Sequence, residues 1–119
     1  MTINALADQS PFTTADGSTI RSILDQTNAP VEKQSLAEAT LPPLGATQRH
    51  YHRLSEEFYF ILEGCGIMEI NGEERLVGPG DAILIPAGAW HQIRCEESGA
   101  LRFLCCCAPP YSHSDTFFS

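Results

Sequence analysis

Apolar residues along this chain fall in short runs rich in Ile, Leu, Phe and Tyr, cut at close intervals by Gly, Pro, Asn and Asp. That is the pattern of many strands joined by tight turns. The clearest unit is a hairpin, Gly66 to Ile70 and Glu73 to Val77, around Asn71-Gly72, a pair suited to the two positive φ angles of a type I′ turn. A second turn, Gly78-Pro79-Gly80-Asp81, leads into Ala82 to Ile85, which stops at Pro86. Further strands are expected at Ser18 to Leu24, Gln34 to Leu41, Arg49 to His52, Glu57 to Leu62, Trp90 to Cys95 and Leu101 to Cys107. No long helical period occurs, although Val31 to Ala37 allows a short helix as an alternative. The pattern predicts an all-β sandwich or barrel, jelly rolls included. An N-terminal arm over 1–17, a barrel over 18–108 and a C-terminal tail over 109–119 complete the expected organisation.

Length and composition narrow the picture. The 119 residues suit one domain with a single core. With 43% hydrophobic residues, no stretch approaches the roughly 20 apolar positions of a membrane-spanning helix. The N-terminal segment lacks a basic region followed by an apolar one, so the expected compartment is the cytoplasm. A net charge of -8, with 15 acidic against 7 basic residues and no basic stripe, argues against nucleic acid as a partner. Of the five cysteines, Cys105, Cys106 and Cys107 are consecutive. Neighbours on a strand point to opposite faces, so the three do not converge on one ion. They read as small buried hydrophobes, with a redox or second metal role as the alternative.

Candidate chemistry gathers on two segments. His50 and His52 sit two apart on one strand and face the same way, with Tyr51 opposite. Glu57 follows after a break at Arg53-Leu54-Ser55-Glu56 that allows a new strand to start facing the same pocket. His91, after Pro86-Ala87-Gly88-Ala89-Trp90, supplies a third imidazole. Neutral imidazoles and a carboxylate are ligand types for borderline divalent metals; histidines satisfied within a core are the competing reading. Parity assigns Tyr59 and Ile61 to the face of Glu57 and Ile93 to that of His91, with Phe103 nearby, so these are expected to line the pocket. Gln48 shares parity with His50 and His52 and is a further candidate. Trp90 is expected on the outer face or at an interface; Glu56 is expected to point away from the pocket, with the ligand role in place of Glu57 as its alternative, and His113 to lie on a solvated tail, with a tail folded over a barrel mouth as the alternative. Gly64, Gly80 and Gly88 read as turn positions.

The stretch Gly45-x4-His50-x-His52-x4-Glu57-x6-Gly64, with Gly80-x5-Pro86-x-Gly88-x2-His91, resembles the two motifs of the cupin family. The first Gly-to-His gap is four residues where that family commonly has five, and Cys95 stands where it often has Asn; neither is a usual ligand position. The resemblance implies a double-stranded β-helix, the jelly-roll barrel of two antiparallel sheets. It also implies one divalent metal ion (Fe, Mn, Ni, Zn, Co or Cu) near one mouth, on His50, His52, Glu57 and His91.

Such a donor set leaves a metal one or two open positions. Lewis-acid isomerase or lyase chemistry on a sugar or a keto or hydroxy acid is one expectation, and Fe(II) dioxygenase chemistry another. Tyr59, or a metal-bound water, is the candidate catalytic base. A non-catalytic, metal-dependent binding or sensor module is the alternative from another class. Open sheet edges and an apolar outer face lead us to expect a homodimer.

Overall fold

A computed structural model describes residues 1–96 and 98–119. Among the described residues, eleven strands form two antiparallel sheets, and there is no helix beyond two short 3-10 turns. One sheet runs, in spatial order, β1 (Phe12–Thr13), β2 (Thr19–Leu24), β3 (Ser35–Leu41), β10 (Leu101–Ala108), β5 (Glu56–Glu63) and β8 (Ala82–Ile85). The other runs β11 (Thr116–Phe118), β4 (His50–His52), β9 (His91–Cys95), β6 (Gly66–Ile70) and β7 (Glu73–Val77). The expected all-β jelly-roll barrel is the observed architecture. No helix among the described residues is long and apolar enough to cross a membrane.

Local chemistry accounts for the framework. The β6–β7 hairpin turns at Asn71 and Gly72, with φ of 48° and 90°, as the Asn-Gly pair requires. Gly64 has φ of 82°, and a Cβ placed there would lie 2.4 Å from the Ala100 carbonyl oxygen, so only glycine fits the turn between β5 and β6. Along β5 burial alternates: Glu57, Tyr59 and Ile61 point inward, whereas Phe58 and Phe60 remain exposed. Between the sheets, Ile61, Ile93, Phe103, Leu101 and Leu41 are almost completely buried, each contributing about 1.5–3 kcal/mol of hydrophobic stabilisation.

Three departures from the sequence reading stand out. The stretch offered as a short helix, Val31 to Ala37, is bend and then strand β3. Ala37 is held in a ladder on both sides, opposite Ser22 and Cys105, and this pairing overrides local helical propensity. Residues assigned to the arms also add strands. β1 pairs with β2, and β11 pairs with β4, setting Thr116 opposite His52 and Phe118 opposite His50.

Candidate metal centre

The three clustered histidines come from one sheet and Glu57 from the other. His50 and His52 lie on β4, and His91 is the direct partner of His50 across the β4–β9 ladder. All three are buried, and a ring nitrogen from each lies within 4.8 Å of the others. Glu57, also buried, brings Oε1 to 3.3 Å from His52 Nε2 and 3.6 Å from His91 Nε2. Two-residue periodicity explains the convergence: each of these side chains points inward at the same end of the barrel.

Each imidazole is oriented through its other nitrogen. The Nδ1 of His50 lies 2.7 Å from the Gln48 carbonyl and that of His91 3.0 Å from the Ala89 carbonyl. His52 Nδ1 lies 3.3 Å from the Asp115 carbonyl and 3.3 Å from Thr116 Oγ1. With Nδ1–H donating to these acceptors, the tautomer leaves the Nε2 lone pairs free, which is how metal-binding histidines are commonly held. Among the described residues, Glu57 Oε1 and His91 Nε2 are the buried side-chain polar atoms with no partner in hydrogen-bonding geometry. Orphaned buried acceptors are costly, and a cation between them would satisfy both. The donor set therefore fits a divalent ion.

Electrostatics reinforce the arrangement. Burial alone would raise the Glu57 carboxyl, but the His52 and His91 imidazoles outweigh it and hold the group at about 2. His52 is affected oppositely: burial disfavours its charged form, yet Glu57 raises it above its ordinary value. Burial, then repulsion from His91, lowers His50. Burial, with Glu57 adding to it, pushes the Tyr59 phenol well above its usual range. Tyr59, expected as a base, accordingly keeps its proton at neutral pH and is suited to donating a hydrogen bond.

Residues 37–107 match the family model described as "Cupin domain". The chain belongs to the cupin family. Among curated relatives, this cupin is 46% identical over 106 residues to the uncharacterized protein MJ1618 of Methanocaldococcus jannaschii, covering 89% of this chain and 85% of that one. It is 27% identical over 89 residues to the tetracenomycin polyketide synthase protein TcmJ of Streptomyces glaucescens, covering 75% of this chain and 59% of that one. Among solved structures, the polyketide cyclase RemF from Streptomyces resistomycificus superimposes with a TM-score of 0.84 at 25% identity, covering 99% of this chain and 84% of that one.

Beside the imidazoles of this cupin lies a cavity of about 70 Å³. Tyr59 and Phe103 line it, whereas Gln48, Ile61 and Ile93 do not. Ile61 and Ile93 do point inward but lie two residues farther along β5 and β9 than Tyr59 and His91, in the closed core. Alternation fixes the face of a residue and not its depth. Gln48 precedes β4, where strand periodicity has not begun; its side chain is exposed, and its carbonyl serves His50.

Sequence reasoning missed much of the wall. Thr14 and Asp16 come from the N-terminal segment, Cys105 and Cys107 from β10, and Tyr111 from the C-terminal segment. Asp115 was missed as well: buried, its carboxylate accepts the backbone N–H groups of Leu54 and Ser55 while its carbonyl steadies His52. The inward parity of Cys105 and Cys107 was available as a signal, but nothing local marked Tyr111 or Asp115. Trp90 faces outward, with the Tyr51 ring at 4.7 Å and the Arg49 guanidinium at 5.1 Å. His113 is exposed, with Nδ1 3.0 Å from the Tyr111 hydroxyl, and Glu56 points away from the site.

Proposed function

We propose that this cupin holds one divalent metal ion on His50, His52, Glu57 and His91 and acts on a small, oxygen-bearing molecule seated in the adjoining cavity. The observation that carries this reading is the pair of orphaned atoms, Glu57 Oε1 and His91 Nε2, facing each other among imidazoles whose Nδ1 atoms are already engaged. A bound divalent ion supplies Lewis acidity, polarising a carbonyl or hydroxyl oxygen. Tyr59 and Phe103 pack against each other, ring centroids 4.6 Å apart and planes tilted by 43°, and present an apolar wall that excludes water from the reacting end. Tyr59, protonated, donates to an oxygen of the ligand, while Asp16 places a carboxylate on the same cavity.

Because Tyr59 and Asp16 offer a proton donor and a carboxylate beside the proposed ion, our first reading is non-redox chemistry of the isomerase, lyase or cyclisation kind, with Fe(II) dioxygenase chemistry as the second. The names of the polyketide cyclase RemF and the polyketide synthase protein TcmJ support an oxygen-rich substrate. A second copy of the chain covers the outer face of the larger sheet, where Phe58, Phe60 and Leu84 are exposed and β8 is an edge strand.

Elemental analysis of the purified protein beside a His50→Ala, His91→Ala double variant tests the centre. About one equivalent of a divalent metal per chain, lost in the double variant, is expected. Absence of metal from both, after incubation with each of the candidate ions, refutes the reading. Turnover of keto acids, sugars and polyketide-like phenols, abolished by chelation without any oxygen uptake, is expected of the Lewis-acid enzyme. Oxygen consumption would assign dioxygenase chemistry instead, and tight binding without turnover a sensor or carrier.

A further inference from the structure

One buried thiol beside the cluster has a role that neither the cupin motifs nor the proposed ligand set contains. Cys107 and Glu57 are direct partners across the β5–β10 ladder, so strand register sets their side chains together on the inner face. The Cys107 Sγ lies 3.1 Å from Glu57 Oε2, and both residues are almost fully buried. The two carboxylate oxygens are thereby distinguished. Oε2 receives the thiol, whereas Oε1 has no hydrogen-bonding partner and is the oxygen near His52 and His91.

We propose that Cys107 is a positioning residue for the metal centre: its S–H donates to Glu57 Oε2 and leaves Oε1 as the single carboxylate oxygen presented to the ion. The inference rests on the reading of Glu57 as a ligand. A carboxylate free to rotate can chelate through both oxygens and fill a position that a small molecule needs. A donor fixed on Oε2 opposes that rotation and holds the carboxylate monodentate. Supporting donors of this kind typically change metal affinity by about 10–100-fold when removed. The register also separates the roles in the cysteine triplet. Cys105 and Cys107 both reach the cavity, whereas Cys106 points to the other side of the sheet, among Leu36, Phe58 and Leu104.

The test uses the purified protein loaded with Co(II), whose visible absorption reports coordination number, together with competition titrations for affinity. Cys107→Ala is expected to weaken Co(II) binding about 10–100-fold and to alter the visible spectrum towards higher coordination. Cys107→Ser, which keeps a donor, is expected to recover most of the affinity and the parental spectrum. In the metal-free protein, the S–H stretching band that disappears in Cys107→Ala should shift when Glu57→Gln is introduced, a readout independent of metal loading. Parental affinity and spectrum in a folded Cys107→Ala variant would overturn the positioning role while leaving Glu57 a ligand, provided Glu57→Gln does lose the metal. If Glu57→Gln binds Co(II) unchanged, the ligand assignment fails and the inference falls with it.

Discussion

His50 and His91 face one another as direct partners across two antiparallel strands, their ring centroids 4.2 Å apart. Two imidazoles so close and so buried cannot both carry charge cheaply, and His50 is held below its ordinary value by burial first and by His91 second. His50 is thus favoured in the neutral, ligating form. His52 differs, because the Glu57 carboxylate favours its protonation.

If the proposed centre holds an ion, this difference sets the pH dependence of its binding. A proton must leave His52 before an ion can be bound, and its value lies above the ordinary 6.5. As pH falls, affinity should begin to decline while the pH is still above 6.5 and fall steeply below it. In Glu57→Gln the onset should move to lower pH, whatever the absolute affinity. Competition titrations between about pH 8 and 5 measure both, and a flat profile would remove the imidazoles from the ligand set.

Glu57 contributes to the acid stability of the metal-free protein. Its folded value of about 2 lies below the unfolded 4.5, so its contribution is fully present above about 4.5 and disappears as pH falls through 2. The change is on the order of 3 kcal/mol. Thermal melts between pH 5 and 2 should show this loss, and Glu57→Gln should flatten that part of the curve.

Asp115 ties the C-terminal segment to the loop after β4. Asp115→Ala removes an acceptor from the Leu54 and Ser55 N–H groups and should cost about 1–3 kcal/mol of stability. By loosening the support of His52 it should also weaken metal binding about 10-fold or more. Denaturant melts and metal titrations of the variant are the measurements; unchanged metal affinity would confine Asp115 to a structural role.

On the outer face of the larger sheet, Phe58 and Leu84 are 51% and 53% exposed and lie opposite each other on β5 and β8. If a second copy covers them, Phe58→Glu with Leu84→Lys should convert a dimer to a monomer in light scattering, with metal content unchanged. A parent protein that is already monomeric at micromolar concentration would refute the dimer.

The fold was legible because the core strands carry their own punctuation. Asn71-Gly72, Gly64 and Pro86 end runs whose alternation is strong, and the barrel follows. The histidines were legible because alternate residues on β4 share a face and His91 follows a glycine turn. Less legible was anything fixed by pairing between strands distant in sequence. Ile61 and Ile93 have the right parity at the wrong depth, and Gln48 lies just outside the strand whose period it was assumed to share. β11 is only Thr116 to Phe118, too short to show a period, so its place beside β4 emerges only once β4 offers an edge. The Cys107–Glu57 contact depends on a register between positions 50 residues apart.

Thr14 Oγ1 and the Tyr111 hydroxyl approach to 3.4 Å at the cavity, 97 positions apart along the chain. Synthesis delivers the first of these well before the second. During translation His50, His52 and Glu57 emerge early, but neither His91 nor the strand bearing Cys107 yet exists to complete their surroundings. A nascent chain has no enclosed pocket to offer an ion, and contacts of such long sequence separation form slowly. If the proposed centre takes up an ion, it does so only after β10 and β11 have been made and paired, from whatever ions then surround the chain.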